Sequence, residues 1–385
     1  MFVYLDNSAT TRQYDRVTEE MVRMMGADYG NPSSLHRMGV TAEGAVNGAR
    51  KTIGDSIKAH KDEIFFTGSG TEADNLAICG AYKAGRRRGK RIITSSGEHP
   101  AVLEACKQLD AAGAEVIYLG IDNKGLIDLD ELSYNLNDST ILISIMAVNN
   151  ELGTIAPLEK IGSLVKLCEN ALFHTDCVQA YGKIPIDPEK CGIDMLSLSG
   201  HKIHGPKGTG ALYVKKGVRI EALIFGGGQE KGLRAGTENT PGIAGLGKAA
   251  EIIHNCFSER ITKLGTLRAY LLEGITNEIP DVIINSPEAR LSSPGILNVS
   301  FMGCRGEVLL HFLEQRDIYV STGAACSSKK GGSRVLAAAG LAAPVIDSAI
   351  RFSFSEFNTI EQMDYVLTEL KKAVTSMRGL RRIRR

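Results

Sequence analysis

The sequence lacks any long apolar segment. No apolar run in the 385 residues approaches the roughly 18 residues that a membrane-spanning helix needs. The first six residues also lack the basic start and the extended apolar stretch of a signal peptide. From these two absences we expect a cytoplasmic protein.

Strong net charge is also missing. The 45 Lys and Arg residues nearly balance the 44 Asp and Glu residues, which gives a formal net charge of +1. This balance offers no overall attraction to nucleic acid or to a membrane surface, so neither is expected as a partner. The local exception is the basic segment of residues 378–385. We interpret it as a frayed, solvated tail, with contact to an acidic partner or RNA as the less favoured alternative.

Paired cysteines are absent as well. The eight cysteines are scattered and form no C-x-x-C pair, so neither a disulfide framework nor a zinc ribbon is indicated. Most are expected to be small buried residues. His201 and His204 lie three residues apart, but no further ligands stand nearby in the sequence. We therefore predict no metal site.

What the sequence does have is an alternation of helical and strand-like patterns from residue 41 onward. This alternation is typical of βαβ units and of an α/β fold with a mainly parallel sheet. A long helical region at residues 241–279 separates this part from a remainder with fewer, mixed elements. A chain of this length has room for two domains.

Lys202 lies where an apolar run at residues 193–198 gives way to a glycine-rich turn. Backbone N–H groups in such a turn can bind an anion, and a lysine there can join an aldehyde covalently as an imine. Pyridoxal phosphate (PLP) carries both groups. A solvated surface lysine is the alternative. A nucleotide P-loop is disfavoured, because Gly205 is followed by Pro206 and not by a lysine and a hydroxyl residue.

Asp176 ends another short apolar run upstream of Lys202. A carboxylate against the ring nitrogen of PLP keeps that nitrogen protonated, which lets the ring take up electrons. Gln179 then stands where it can reach the phenolic oxygen of the ring. An ordinary helix N-cap is the alternative for Asp176.

Three further loops hold candidate residues. Gly70 and Thr71 follow a predicted strand and open a predicted helix, which suits phosphate binding but is also typical of a simple N-cap. His99 follows the next strand, where it could stack on a flat ring and shuttle protons, or could be structural. Asn31 precedes a proline in a loop that could bind a ligand or be only a turn.

Cys326 is flanked by small and polar residues and stands close to two lysines. Positive charge nearby favours the thiolate, so this cysteine is either a nucleophile or a redox-sensitive bystander. Arg351 lies on a later predicted strand and could pair with a substrate carboxylate through two hydrogen bonds. A surface salt bridge is the alternative for Arg351.

Taken together, these motifs resemble the PLP-dependent cysteine desulfurases of the nitrogen-fixation and housekeeping iron–sulfur type. Each motif is shared with related aminotransferases, but the set occurs in order from Leu5 to the strand of Arg351 and is specific. The segments that carry the resemblance are Gly68–Asn75, Val148–Thr154, His174–Gln179, Ser199–Gly208 and Gly323–Ser328.

The resemblance implies a class-V aminotransferase-like homodimer of PLP fold type I. A large PLP-binding domain at residues 16–259 would hold a mainly parallel, seven-stranded sheet flanked by helices. A small α/β domain would combine residues 1–15 and 260–385 and carry the loop with the catalytic cysteine.

The resemblance also assigns roles around the cofactor. Lys202 corresponds to the lysine that binds PLP, Asp176 to the partner of the ring nitrogen, and Asn150 with Gln179 to the ligands of the ring hydroxyl. His99 corresponds to the stacking acid–base histidine. The phosphate would be held by Gly70, Thr71, Ser199 and His201, with Thr237 supplied by the other subunit.

For the substrate, the resemblance implies that Asn31 and Arg351 bind the carboxylate and that Cys326 is the nucleophile. The implied activity converts L-cysteine into L-alanine and leaves the sulfur on Cys326 as a persulfide, for delivery to an acceptor protein such as an iron–sulfur scaffold. Selenocysteine lyase, another class-V aminotransferase or lyase, and a silent sulfur-scaffold subunit are the alternatives. Cys177 stands where alanine is more usual, a difference that concerns packing. Lys329 to Gly332 replace a more apolar sequence, and this difference leaves the identity of the sulfur acceptor open.

Overall fold

The computed structural model of the chain describes residues 1–323 and 332–383. Cys326 and its neighbours in residues 324–331 lie outside the described residues. None of the described helices is long and apolar enough to cross a membrane.

A seven-stranded sheet forms the centre of the larger part of the molecule. Its strand order is β2-β8-β7-β6-β5-β3-β4. β8 runs antiparallel to both of its neighbours, and the other pairs are parallel, so the predicted mainly parallel sheet is confirmed. The strands of this sheet are β2 (Ile64–Thr67), β3 (Arg91–Ser95), β4 (Glu115–Leu119), β5 (Thr140–Ser144), β6 (Leu172–Asp176), β7 (Met195–Ser199) and β8 (Gly210–Val214).

A smaller, antiparallel sheet has the order β12-β10-β9, and a separate parallel pair joins β1 to β11. Isolated bridges link Asp6 to Ser353 and Ser321 to Arg351, so the start of the chain lies beside its carboxyl-terminal strands. The domain boundaries near residues 15 and 259 stay a prediction. These strands are β1 (Val3–Tyr4), β9 (Val282–Ile284), β10 (Ile296–Phe301), β11 (Ile318–Tyr319) and β12 (Ala349–Ser353).

Helices pack against both sheets. Those of the first part are α1 (Asp15–Gly26), α2 (Arg37–Ser56), α3 (Gly70–Gly85), α4 (Pro100–Ala111), α5 (Leu129–Asn135), α6 (Leu158–Val165), α7 (Pro188–Cys191) and α8 (Thr240–Asn255). Those of the second part are α9 (Phe257–Glu278), α10 (Gly306–Glu314), α11 (Arg334–Ala338), α12 (Ala343–Asp347) and α13 (Ile360–Ile383).

Each sheet has its own apolar core. Ile143, Phe173 and Leu198 belong to the core beneath the seven-stranded sheet. Leu5 and Phe352 belong to a second core between the small sheet and its helices. β5 and β7 are buried along their whole length, and three of the five residues in each are large and apolar, which makes both strands recognisable in the sequence.

Two expectations about helices need correction. The predicted helical region at residues 241–279 is two helices, because Cys256 leaves helical geometry with φ −113° and ψ 21°. The basic segment from Arg378 is not simply a frayed tail, since α13 continues to Ile383. Arg378 donates hydrogen bonds to the carbonyl oxygens of Pro280, Asp281 and Met302 and so ties the helix to the second part.

Candidate active site

A cavity of about 550 Å³ opens at the carboxyl edge of the seven-stranded sheet. Parallel strands present the loops that follow them at the same edge, which is where open α/β sheets bind ligands. The loops after β2, β3, β5, β6 and β7 all reach this cavity. Its walls include the predicted residues Gly70, Thr71, His99, Asn150, Asp176, Gln179, Ser199, His201, Lys202 and Arg351.

Lys202 enters the cavity from a short turn that follows β7. Its Nζ donates to the carbonyl oxygens of Ser8 at 2.5 Å and Ala9 at 2.7 Å. These contacts join the amine to the first residues of the chain, far away in sequence. The lysine is therefore held at the cavity and is not a solvated surface side chain.

Asp176 ends β6 and is only 4% exposed. Its Oδ1 accepts a hydrogen bond of 2.8 Å from the backbone N–H of Val178. Burial raises the pKa of Asp176, whereas this N–H and the nearby charge of Lys202 lower it. Asp176 can thus hold a negative charge in a buried position.

Two further carboxyl groups lie close to Asp176. Burial raises the pKa of Glu98 to about 8, and the negative charge of Asp176 adds to the shift. Burial and the same charge raise the pKa of Asp74 well above its ordinary value. Both acids are therefore harder to ionise than in water, which favours Asp176 as the ionised member of the group.

The Gln179 carboxamide lies between two partners. Its Nε2 donates to the carbonyl oxygen of Ser8 at 2.9 Å. Its Oε1 accepts from Nζ of Lys183, also at 2.9 Å. The amide nitrogen of Gln179 therefore faces the side of the first residues, where Lys202 also binds.

The start of α3 forms the small-residue end of the cavity. Ser69 caps this helix by accepting from the N–H of Glu72. A Cβ atom at Gly70 would stand 2.6 Å from Cγ2 of Val178 and 3.3 Å from Cβ of Ser199. Glycine thus lets Val178 and Ser199 pack closely against the start of the helix, whose N–H groups can bind an anion at the cavity.

His99 is the N-cap residue of α4. Its Nδ1 accepts a hydrogen bond of 3.2 Å from the N–H of Ala101. Burial lowers the pKa of His99 to about 4, with Lys202 and Arg334 adding to the shift. The ring is neutral at neutral pH, and because Nδ1 is an acceptor, the proton belongs on Nε2. The ring therefore has a structural role as a cap and still lines the cavity.

Arg351 on β12 is buried. Its Nη2 donates to Asp6 Oδ1 at 2.8 Å and its Nη1 donates to the carbonyl oxygen of Asn150 at 3.0 Å. Arg351 Nε and Asn150 Oδ1 are both buried, and neither has a hydrogen-bond partner within the described part of the chain. Arg351 therefore forms a buried salt bridge, and its Nε–H can still donate a hydrogen bond at the cavity.

Two predicted residues lie away from this cavity. Asn31 is exposed in the loop between α1 and α2, where its Oδ1 accepts from the N–H of Ser33. Thr237 lines a separate cavity of about 270 Å³ beside Arg234. Cys326 lies outside the described residues. The roles assigned to these three residues stay predictions.

Sequence reasoning missed several residues of the site. Ser8 belongs to a turn-rich opening segment whose spacing says nothing about Lys202. Asp6 and Lys183 are single charged residues whose partners lie on other elements. Glu98 stands directly before His99, just beyond a strand, and this position was the available sequence signal that Glu98 belongs to the site.

The fold and this cavity define a PLP-dependent α/β protein of fold type I. Residues 3–366 match the sequence model of the class-V aminotransferase family, and the chain belongs to this family. Cysteine desulfurase IscS of Methanosarcina thermophila is 48% identical over 98% of this chain and 93% of that protein. Cysteine desulfurase IscS of Clostridium botulinum is 45% identical over 98% of this chain and 96% of that protein.

Solved structures agree with the sequence comparison. A NifS-like protein superposes with a TM-score of 0.91 at 41% identity, and the match covers 97% of this chain and 100% of that protein. The structure titled SspA in complex with cysteine superposes with a TM-score of 0.81 at 36% identity, covering 93% and 100% of the two chains.

The family uses PLP, and the residues around the cavity fit this cofactor. Gly70 and Thr71 at the start of α3 line the cavity, and the N–H groups of a helix start can bind a phosphate. Asp176 offers a buried carboxylate to a ring nitrogen, and the buried Oγ of Ser8 and Oδ1 of Asn150 have no hydrogen-bond partners within residues 1–323 and 332–383. A flat ring with a phosphate, a phenolic oxygen and a basic nitrogen would find a matching group for each.

Proposed function

We propose that this protein is a cysteine desulfurase. It converts L-cysteine into L-alanine and transfers the sulfur to its own Cys326 as a persulfide. The observation that carries the proposal is one cavity that combines the amine of Lys202, the buried carboxylate of Asp176 and the buried guanidinium of Arg351. The relatives named cysteine desulfurase, similar over nearly the whole chain, support the same activity.

Lys202, Asp176 and Gln179 would hold the cofactor together with the start of α3. When bound, PLP supplies an electron sink that makes the bond between Cβ and sulfur of the substrate breakable. Asp176 keeps the proton on the ring nitrogen, because a buried carboxylate beside a basic nitrogen favours the protonated ring. The Lys202 amine is the base that removes the Cα proton of the substrate.

Arg351 orients the substrate. Its Nε, which has no hydrogen-bond partner among the described residues, and its spare Nη hydrogens can bind the α-carboxylate, with Asn31 as the second proposed ligand. His99 is neutral, with a proton on Nε2, and can hold or release that proton at the cavity. The Cys326 thiolate attacks the substrate sulfur, so that a sulfur–sulfur bond forms while the bond from sulfur to Cβ breaks.

The proposal extends to partners. We propose a homodimer in which Thr237 of each subunit contributes to the other subunit's phosphate site. A sulfur-acceptor protein, such as an iron–sulfur scaffold, would then take the sulfur from Cys326. We also propose a cytoplasmic location. Neither nucleic acid nor a membrane is part of the proposal.

Two variants test the activity. In Lys202→Ala, cysteine should no longer change the visible absorption of the protein incubated with PLP, because the amine that joins the cofactor is gone. In Cys326→Ser, cysteine should still change that absorption, but no protein-bound persulfide should form. Absorption spectra and mass spectrometry of the protein measure these results.

Matched controls are Lys207→Ala, an exposed lysine in the same turn, and Cys256→Ser, a cysteine away from the cavity. Both controls should behave as the wild type. Normal sulfur transfer to acceptors by Cys326→Ser would show that another group is the nucleophile. A protein that releases alanine from selenocysteine but not from cysteine would favour the selenocysteine lyase instead.

A further inference from the structure

Lys183 is a buried amine that the proposed chemistry does not use. It is 3% exposed and does not line the cavity. The turns after β6 place it four residues beyond Gln179, and its Nζ donates to Gln179 Oε1 at 2.9 Å. Within the described part of the chain, no carboxylate lies within salt-bridge distance of Lys183.

The surroundings of Lys183 disfavour a positive charge. Burial lowers the pKa of Lys183 well below its ordinary value, and the positive charges of Arg260, Lys202 and Arg351 lower it further. The negative charge of Glu356 acts in the opposite direction, but Glu356 is already bound to Arg260 at 2.9 Å. Burying an amine here costs free energy that an apolar side chain of the same shape would avoid. Packing alone does not explain a lysine at this position.

The contact has one clear consequence for Gln179. Nζ donates to Oε1 in the structure, and a lysine amine favours an acceptor on its side: the ammonium has three N–H groups and no lone pair, and the neutral amine has two N–H groups and one lone pair. Nε2 must then lie on the opposite side, where it donates to the carbonyl oxygen of Ser8 at 2.9 Å. The flipped carboxamide would set an N–H against Nζ and an oxygen against the Ser8 oxygen.

The same carbonyl oxygen of Ser8 also accepts from Lys202. Lys183, Gln179, Ser8 and Lys202 thus form a continuous series of hydrogen bonds from the buried interior to the cavity. A donor from Gln179 is thereby fixed beside the amine that joins the cofactor.

We propose that Lys183 is a positioning residue that fixes the orientation of the Gln179 carboxamide, so that its N–H faces the phenolic oxygen of the bound cofactor. This inference rests on the proposed function, since it requires PLP in the cavity. A donor to that oxygen stabilises its negative charge and weakens its hold on the proton of the Lys202 nitrogen. Loss of the donor should therefore raise the pH at which that proton leaves.

The test is a double-mutant cycle with Lys183→Met and Gln179→Met. The readout is the pH midpoint between the two visible absorption forms of the PLP-loaded protein, measured without substrate. Each single variant should raise the midpoint by roughly 0.5 to 1 pH unit, the equivalent of one neutral hydrogen bond. In the Gln179→Met background, Lys183→Met should cause no further shift.

If Lys183→Met shifted the pH midpoint equally in the wild-type and the Gln179→Met backgrounds, the inference would be overturned, because the lysine would then act through its own charge. An unchanged midpoint in Lys183→Met would overturn it as well. Lys183→Leu replaces the methionine variant in the same cycle if thermal melting shows that the latter does not fold. A wild-type protein with no visible band after incubation with PLP would overturn the proposed function and, with it, this inference.

Discussion

Asp74, Glu98 and Asp176 are three carboxyl groups that share one buried region at the edge of the large sheet. Three negative charges at such short range would repel each other strongly in an interior that screens charge poorly. Burial raises the pKa of Glu98 to about 8 and the pKa of Asp74 well above its ordinary value, so both acids hold their protons more tightly than in water. Each proton held by these two acids removes a negative charge near Asp176 and so favours its ionised form.

Glu98→Gln tests this charge distribution. In the unfolded chain Glu98 titrates near its ordinary value of 4.5, and in the folded chain near about 8. Because the folded pKa is raised, the wild type should lose stability as the pH rises from about 4.5 to about 8. Glutamine resembles the protonated acid, so the variant should not show this loss. Urea unfolding at a series of pH values measures it.

Glu104→Gln is the matched control, since Glu104 lies on the neighbouring helix with its side chain in solvent. It should keep the pH dependence of the wild type. Parallel stability curves for the wild type and Glu98→Gln would mean that Glu98 is already ionised in the folded protein.

At the scale of elements, the start of α3 depends on a glycine. Gly70→Ala replaces glycine with a better helix former, which by itself would favour the helix by about 1 kcal/mol. The new Cβ would instead stand 2.6 Å from Val178 Cγ2, and the N–H of Val178 binds Asp176. We expect weaker PLP binding and no gain in stability, measured by PLP titration and urea unfolding.

Gly265→Ala is the control for this substitution. Gly265 lies within α9, and its added Cβ would meet nothing within 4 Å. It should gain roughly 0.5 to 1 kcal/mol of stability and leave PLP binding unchanged. If Gly70→Ala gained as much stability and bound PLP as the wild type does, the start of α3 would not be a tight site.

A sequence best predicts those helices and strands whose residue pattern is set by neighbours close in the chain. The strands around the cavity were recognisable because they are short apolar runs, and Lys202 and Asp176 because they stand just beyond such runs. The contacts that position them were not recognisable, since Ser8 to Lys202 and Asp6 to Arg351 join residues far apart in the chain. Likewise, no periodicity marked the break at Cys256, where one residue leaves helical geometry.

On the scale of the whole molecule, one buried network joins the two parts. Glu356 accepts hydrogen bonds from Tyr14 and from Arg260, and it lies 3.3 Å from His204 Nε2. Burial raises the pKa of Glu356, but the hydrogen bond with His204, the positive charge of Arg260 and the hydroxyl of Tyr14 hold it well below its ordinary value. His204 belongs to the turn after Lys202, so this network ties the lysine turn to the second part.

The proposed homodimer belongs to this scale too. Large apolar side chains near the start of the chain are exposed in the single subunit and would be covered by a partner. Light scattering should give twice the mass of one chain, and a monomer that binds PLP normally would contradict the proposal. The exposed side chains are Val22, Met25, Tyr29, Leu35 and Val40.

Subunit mixing tests the shared site more sharply. Thr237→Val should weaken PLP binding about tenfold, the loss of one hydrogen bond to a charged group. When Thr237→Val subunits are mixed with Lys202→Ala subunits, dimers should form in which one site regains wild-type affinity. That site combines the intact Lys202 of one subunit with the intact Thr237 of the other. Titration of such mixtures with PLP checks this. No recovery would place Thr237 in the site of its own subunit.

The position of β1 has a consequence for biosynthesis. This strand is synthesised well before its partner β11, which begins at Ile318, and before Ser353, which forms the bridge with Asp6. The carbonyl oxygens of Ser8 and Ala9 belong to the same segment and hold the lysine of the cavity. The segment around β1 can therefore close its side of the cavity only after the residues up to Ser353 have been synthesised, so a shorter nascent chain carries no finished catalytic pocket.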